Sequence, residues 1–141
     1  MSHAAAIHRI GLLTGGGDCP GLNAVIRAVT KDAIGHGIEV VRIEDGFPGL
    51  IENRTRQLHS DDVSNILTAG GTILGSSNKA NPERFAVGKN SDGTPKFQDM
   101  TDLCMRNVEL QGLDAIVVIG GDGTMTGAQT FTKRGVNCIG V

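Results

Sequence analysis

The chain has 141 residues, the size of one ordinary domain, and a chain of that length buries about 68–70% of its unfolded surface. Lys and Arg number 13 against 15 Asp and Glu, a formal net charge of −2, which excludes a nucleic-acid-binding domain driven by a basic field. With 39% hydrophobic residues and no low-complexity tract, wholesale disorder is excluded as well. Trp and Tyr are absent, which leaves little for base stacking. No apolar stretch reaches the length of a membrane span, and the start from Met1 to Arg9 has no apolar run of a secretion signal. Cys19, Cys104 and Cys138 are odd in number and widely spaced, and His3, His8, His36 and His59 form no ligand cluster. That usage reads as a cytoplasmic protein with no zinc site.

In chain order, Ile7 to Thr14 reads as a short apolar strand running into Gly15-Gly16-Gly17-Asp18-Cys19-Pro20-Gly21. A helix fits from Pro20 to Ile34, with Leu22, Val25, Ile26 and Val29 at helical spacing, Pro20 in its first turn and Asp18 as a cap. Gly35-His36-Gly37 ends it, and Ile38 to Ile43 is a second strand followed by turns at Asp45-Gly46 and Pro48-Gly49. Ser60-Asp61-Asp62 looks like a helix start with Val63, Ile66 and Leu67 as its stripe, and Thr72 to Leu74 a short strand. From Gly75 to Phe97 no period stands out, which inside a compact domain points to a functional or mobile stretch. Leu103, Val108 and Leu110 restore helical spacing before Gly112.

Ala115 to Ile119 is the clearest strand, apolar and β-branched throughout, and therefore buried on both faces. Gly120-Gly121-Asp122-Gly123 follows at once, then a helix from Thr124 to Arg134 and a further strand from Asn137 to Val141. Strands alternating with helices predict an α/β domain with a mainly parallel sheet covered on both faces. Ligands of such sheets bind beyond the carboxyl ends of the strands. The chain stops where the last such loop should begin, so it reads as the first part of a longer protein.

Both glycine loops join a strand to a helix. Glycines there let the backbone approach a bulky anion, and a helix start offers free N–H groups and partial positive charge. The first loop lacks the Gly-Lys-Ser/Thr ending of the common ATPase loop and the Gly-x-Gly-x-x-Gly spacing, and its plainer reading is a tight turn. In the second, Asp122 sits where the magnesium of a nucleotide would lie, since Mg²⁺ takes one or two carboxylates plus phosphate oxygens and waters. Its plainer reading is a helix cap. Two such loops on one sheet edge point together to nucleotide or phosphate binding. Arg27 and Lys31 share one helix face, which from spacing alone reads as solvated. Lys79, Arg84, Lys89 and Lys96 lie in the irregular stretch. The cysteines read as inert thiols, with Cys19 beside a helix start that can lower a thiol pKa.

The segment Ile10 to Arg27, with its core Gly15-Gly16-Gly17-Asp18-Cys19-Pro20-Gly21-Leu22-Asn23, resembles the opening of a 6-phosphofructokinase. Gly70-Gly71-Thr72-Ile73-Leu74-Gly75-Ser76 and Val118-Ile119-Gly120-Gly121-Asp122-Gly123-Thr124 follow in the family's order, so the resemblance spans Ile7 to Val141. It implies a Rossmann-like three-layer α/β sandwich, residues 1–141 being the nucleotide-binding part of a phosphofructokinase domain whose remainder is absent. It also implies a homo-oligomeric, allosteric glycolytic enzyme that transfers the γ-phosphoryl of ATP to the 1-hydroxyl of fructose 6-phosphate with Mg²⁺. By the resemblance Gly17 lies against the donor phosphates, Gly121, Asp122, Gly123 and Thr124 form a second wall, and Asp122 serves the metal. Asn78 and Lys79 stand where bacterial ATP enzymes of the family carry an arginine and an aromatic residue. Arg27 and Lys31 match basic effector-site positions, Lys31 in place of an arginine. The catalytic aspartate of the family, in a Thr-Ile-Asp-Asn-Asp-type loop, is expected beyond Val141, which leaves this chain alone without it. Pyrophosphate enzymes of the family carry Asp where this chain has Gly123, so ATP is the expected donor. NAD kinases and diacylglycerol kinases share the second motif but not the first. A self-contained nucleotide-binding or regulatory module, and a pyrophosphate-dependent enzyme, are the alternatives.

Overall fold

A computed structural model describes residues 5–78 and 81–141. Its main sheet has five strands: β1 (Arg9–Thr14), β2 (Glu39–Ile43), β3 (Thr55–Leu58), β6 (Ala115–Ile119) and β7 (Cys138–Gly140), in the order β3-β2-β1-β6-β7. β1 runs parallel to both β2 and β6, and β6 parallel to β7; only β3 is antiparallel, against β2. The helices are α1 (Leu22–Gly35), α2 (Phe47–Ile51), α3 (Thr101–Leu110) and α4 (Asp122–Lys133). A separate hairpin pairs β4 (Phe85–Lys89) with β5 (Pro95–Gln98).

The period-2 alternation of strands divides the core into two layers. Ile10 and Leu12 of β1, Val40 of β2, and Ala115, Val117 and Ile119 of β6 pack with Leu22, Ile26 and Ala33 of α1. Leu13, Val41, Ile43, Ile116 and Val118 face the other way, against α2, α3 and α4 through Phe47, Leu50, Cys104, Val108, Ala128 and Phe131. All five residues of β6 are buried, as a parallel strand covered on both faces requires. This is the expected three-layer α/β sandwich. Burial also pushes the Cys104 thiol up to about 12, so it stays protonated in the core. Among the described residues no helix is long and apolar enough to cross a membrane.

The structure departs from the sequence reading in the middle of the chain. The turn at Asp45-Gly46 is present, both with positive φ, but it leads into the helical turn α2 rather than a second turn at Pro48-Gly49. Asn107 of α3 holds that turn by donating from Nδ2 to the carbonyls of Leu50 (2.8 Å) and Ile51 (3.1 Å). β3 has only Leu58 buried, so a polar edge strand left no apolar period to read. The helix expected from Ser60 is a single 3₁₀ turn, Ser60–Val63; Asn65 adopts a left-handed conformation just beyond it, and Leu67 is exposed. Thr72 to Leu74 is a turn held between the positive-φ residues Gly71 and Gly75, not a strand. The stretch from Gly75 to Phe97 contains the β4–β5 hairpin, whose side chains are mostly exposed and so follow no burial pattern. In α3 the buried positions are Thr101, Cys104, Asn107 and Val108, and Leu110 faces solvent.

Phe131 is 1% exposed and its ring lies 5.7 Å from that of Phe47, joining α4 to α2. Phe131→Ala is expected to lower unfolding free energy by about 3–5 kcal/mol, measured by denaturant titration.

Candidate functional site

The strand order places a switch point between β1 and β6. From β1 the chain crosses by α1 on one face to β2, and from β6 it crosses by α4 on the other face to β7, so the two strand-to-helix loops start side by side. The ladder continues a step past the strands: Gly15 N–H donates to Ile119 O at 2.8 Å and Gly120 N–H to Val141 O at 3.1 Å.

The two loops close on one side chain. A Cβ at Gly15 would lie 2.6 Å from Thr124 Cγ2, and one at Gly120 would lie 2.7 Å from Thr124 Oγ1 and 2.8 Å from Gly15 O. Thr124, 7% exposed, therefore fills the space between the loops, and a side chain at either glycine would force a shift. The other glycines differ. Nothing lies within 4 Å of a Cβ at Gly17, Gly121 or Gly123, so their backbone borders open space.

A third segment, residues 69–78, completes the wall. Gly16 N–H donates to Ser77 O at 3.1 Å, and Ser76 Oγ donates back to Gly16 O at 3.0 Å. Three elements of the core hold this irregular segment. Thr14 Oγ1 of β1 donates to Gly75 O and lies 2.9 Å from Thr72 Oγ1. Asn23 of α1, 2% exposed, donates from Nδ2 to Ala69 O and Gly70 O and accepts from Ile73 N–H at 2.8 Å. Arg42 of β2 donates to Ile73 O at 2.6 Å.

Together these segments border a cleft of about 510 Å³ that runs along α4. Gly16, Gly17, Asn78, Gly121, Asp122 and Gly123 line it at the start of α4, Glu83 and Thr130 two turns further along, and Phe47 lines it as well. Gly121 is the N-cap of α4 and makes no side-chain cap bond, so the first N–H groups of this helix lack the usual side-chain acceptor. Asp122 is the first helical residue rather than a cap. Its carboxylate is exposed and has no hydrogen-bond or ion-pair partner among the described residues. No group of three or more His, Cys, Asp or Glu that could hold a metal occurs among the described residues. One free carboxylate beside open backbone does fit Mg²⁺ shared with phosphate oxygens and waters.

Of the residues singled out in the sequence, Gly17, Asn78, Gly121, Asp122, Gly123 and Thr124 thus meet in one cleft, with Thr124 doubling as the packing piece. Lys79 lies outside the described residues. Arg27 and Lys31 are elsewhere, on the α1 layer, where Arg27 donates to Val63 O (3.0 Å) and Lys31 to Ser60 Oγ (3.0 Å). Asp18 does not cap α1, which starts at Leu22 after Gly21 at φ 97°. Arg84 lies over the Phe97 ring at 4.2 Å. Cys19 is exposed on the first loop. The sequence reading missed Glu83 and Thr130. Gly123, Thr126, Gly127 and Thr130 at helical spacing were a signal that α4 carries a small and hydroxyl-bearing face; nothing in the sequence marked Glu83.

A mainly parallel sheet covered by helices on both faces, with two glycine loops side by side at its switch point, defines an α/β domain of the doubly wound class. The chain belongs to the phosphofructokinase family, whose family model matches residues 9–141. It is 52% identical over 136 residues to ATP-dependent 6-phosphofructokinase 2 of Clostridium perfringens (strain 13 / Type A), covering 96% of this chain and 37% of that protein. It is 45% identical to the ATP-dependent 6-phosphofructokinase of Pectobacterium carotovorum subsp. carotovorum (strain PC1), covering 96% of this chain and 38% of that one. The chain thus spans little more than a third of the length of these curated relatives. Among solved structures it superposes on Pichia pastoris phosphofructokinase in the T-state with a TM-score of 0.79 at 29% identity, over 100% of this chain and 16% of that one. It shares its fold with the pyrophosphate-dependent phosphofructokinase of Marinobacter aquaeolei, TM-score 0.72 at 18% identity, over 95% of this chain and 33% of that one.

The two kinds of glycine should separate experimentally. Gly120→Ala is expected to destabilise the fold by about 1–3 kcal/mol through overpacking against Thr124. Gly121→Ala, with open space around it, should leave the melting temperature nearly unchanged, read by calorimetry.

Proposed function

We propose that this chain forms the donor-phosphate part of an ATP-dependent 6-phosphofructokinase, with ATP, fructose 6-phosphate and Mg²⁺ as its ligands in the complete enzyme. The observation that carries the reading is the convergence of Gly17, Gly121 and Gly123, with open backbone, around Asp122, unpartnered among the described residues, at the switch point. The names of its bacterial relatives support it.

In the reaction the 1-hydroxyl oxygen of the sugar bonds to the γ-phosphorus while the bond to the β–γ bridging oxygen breaks. ADP leaves and the hydroxyl proton passes to a base. Such transfer rests on positioning and on charge stabilisation. The glycine backbone admits the phosphates closely, the start of α4 offers N–H groups and partial positive charge to them, and Asn78 borders them from the third wall. Asp122 would hold Mg²⁺, which when bound neutralises phosphate charge. Within that transfer the residues of this cleft contribute the binding of the donor phosphates. Arg27 and Lys31, on the other layer, take no part in the donor cleft.

ATP as donor is supported by Gly123. A Cβ there meets nothing within 4 Å, so the α-phosphate of a nucleotide has room that a carboxylate would fill with like charge.

Two substitutions at the full length of the relatives test the reading. Asp122→Asn removes the charge and keeps the shape, and is expected to lower kcat at least about tenfold with little change in melting temperature. Near-normal kcat at saturating Mg²⁺ would remove Asp122 from the metal. Gly123→Asp places a carboxylate in open space at the start of α4, where negative charge suits the helix. The fold should hold while kcat/KM for ATP drops about tenfold or more. A higher kcat/KM with pyrophosphate than with ATP in the unaltered enzyme would overturn the donor assignment.

A further inference from the structure

The cleft continues past the phosphate end. Thr130 lies seven residues beyond Gly123 on α4, about 10 Å along the helix axis, far enough for a phosphate chain to intervene. At that far end the wall is a carboxylate: Glu83 Oε1 accepts a hydrogen bond from Thr130 Oγ1 at 3.2 Å.

Glu83 is held in place from both sides. Its own N–H donates to Asn81 Oδ1 (2.9 Å), Arg84 N–H donates to Asn81 O (3.0 Å), and the carbonyl of the buried Pro82 accepts from Met100 N–H at the head of α3 (2.7 Å). The turn is therefore fixed to α3 through its backbone and to α4 through the Glu83 side chain. Among the described residues Glu83 has no ion-pair partner. Thr130 occupies one lone pair of the carboxylate and leaves the others to the cleft.

A negative, acceptor-only group is a poor neighbour for phosphate and a good one for sugar hydroxyls, which is how acidic residues recognise ribose in other doubly wound folds. We propose that Glu83, oriented by Thr130, accepts hydrogen bonds from the ribose hydroxyls of the donor nucleotide and so distinguishes ribonucleotides from analogues lacking them. The inference rests on the nucleotide reading of the cleft and adds the residue that reads the sugar.

The test uses the enzyme at the full length of its relatives, with ATP, 2′,3′-dideoxy-ATP and inorganic pyrophosphate as donors. A hydrogen bond to a charged group predicts that the unaltered enzyme has a KM about tenfold lower for ATP than for the dideoxy analogue. Glu83→Ala should raise KM for ATP to the dideoxy value and leave kcat unchanged. Thr130→Val, which frees the carboxylate to swing, should raise KM for ATP by less. Glu83 is exposed and Thr130 partly exposed, so both variants are expected to fold, and melting temperature checks this. If Glu83→Ala leaves the ratio of the two KM values unchanged while ATP is still preferred to pyrophosphate, this inference falls and the donor reading stands. If the unaltered enzyme prefers pyrophosphate, the donor reading falls and takes the inference with it.

Discussion

Thr124 sits where side chains at Gly15 and Gly120 would have to go, and the architecture of the cleft follows from that crowding. A side chain at Gly15 would displace Thr124, and one at Gly120 would also press on the Gly15 carbonyl, beside the bond from Gly15 N–H to Ile119 O. The same threonine belongs to the first turn of α4, so one buried side chain sets the distance between the loops and the position of the helix start beside them. Polar and apolar parts both contribute: the methyl group and the hydroxyl oxygen fill space, and the backbone carries Gly123 and Asp122 outward into solvent.

That contact works because the strands beneath it are rigid. β1 and β6 are buried between two apolar layers, and their register, Leu13 beside Val118 and Thr14 beside Ile119, brings the loops out at the same height. A one-residue slip would turn the apolar set of β6 toward the wrong layer. Core packing thus determines where the open backbone is presented, and the buried Phe47, Thr124 and Gly127 reach the cleft from the core.

How much of this was legible in the sequence follows the same physics. β6, apolar at every position, and the α1 stripe of Leu22 and Ile26 announced themselves because burial on a fixed period is a sequence pattern. The glycine loops announced themselves by placement between such elements. β3 and the β4–β5 hairpin did not, because their stability comes from backbone pairing with mostly exposed side chains. The 3₁₀ turn at Ser60 carried a true helix-start signal, Asp62 Oδ2 accepting from His59 N–H at 2.7 Å, but Asn65 ends the run before an apolar stripe can be used. Sequence spacing grouped Arg27 and Lys31 correctly on one face and said nothing of the Val63 carbonyl and Ser60 hydroxyl that face receives. Within the cleft, Asp122 was legible by position after a strand, whereas Glu83 reaches it across tertiary structure from a segment with no periodicity at all.

The segment from Ala69 to Ser77 is irregular in dihedral angles yet is tied to β1 through Thr14, to α1 through Asn23 and to β2 through Arg42. A loop tethered at one end can fray by itself, but these bonds reach into three separately packed elements, two of them through groups that are buried. Releasing the segment would strand the Thr14 hydroxyl and the Asn23 amide without partners inside the protein, which costs the full desolvation of each. Its opening is therefore coupled to unfolding of the sheet as a whole, in the sense of one cooperative unit. A stretch without regular secondary structure is thereby expected to exchange with solvent together with the sheet it is tied to.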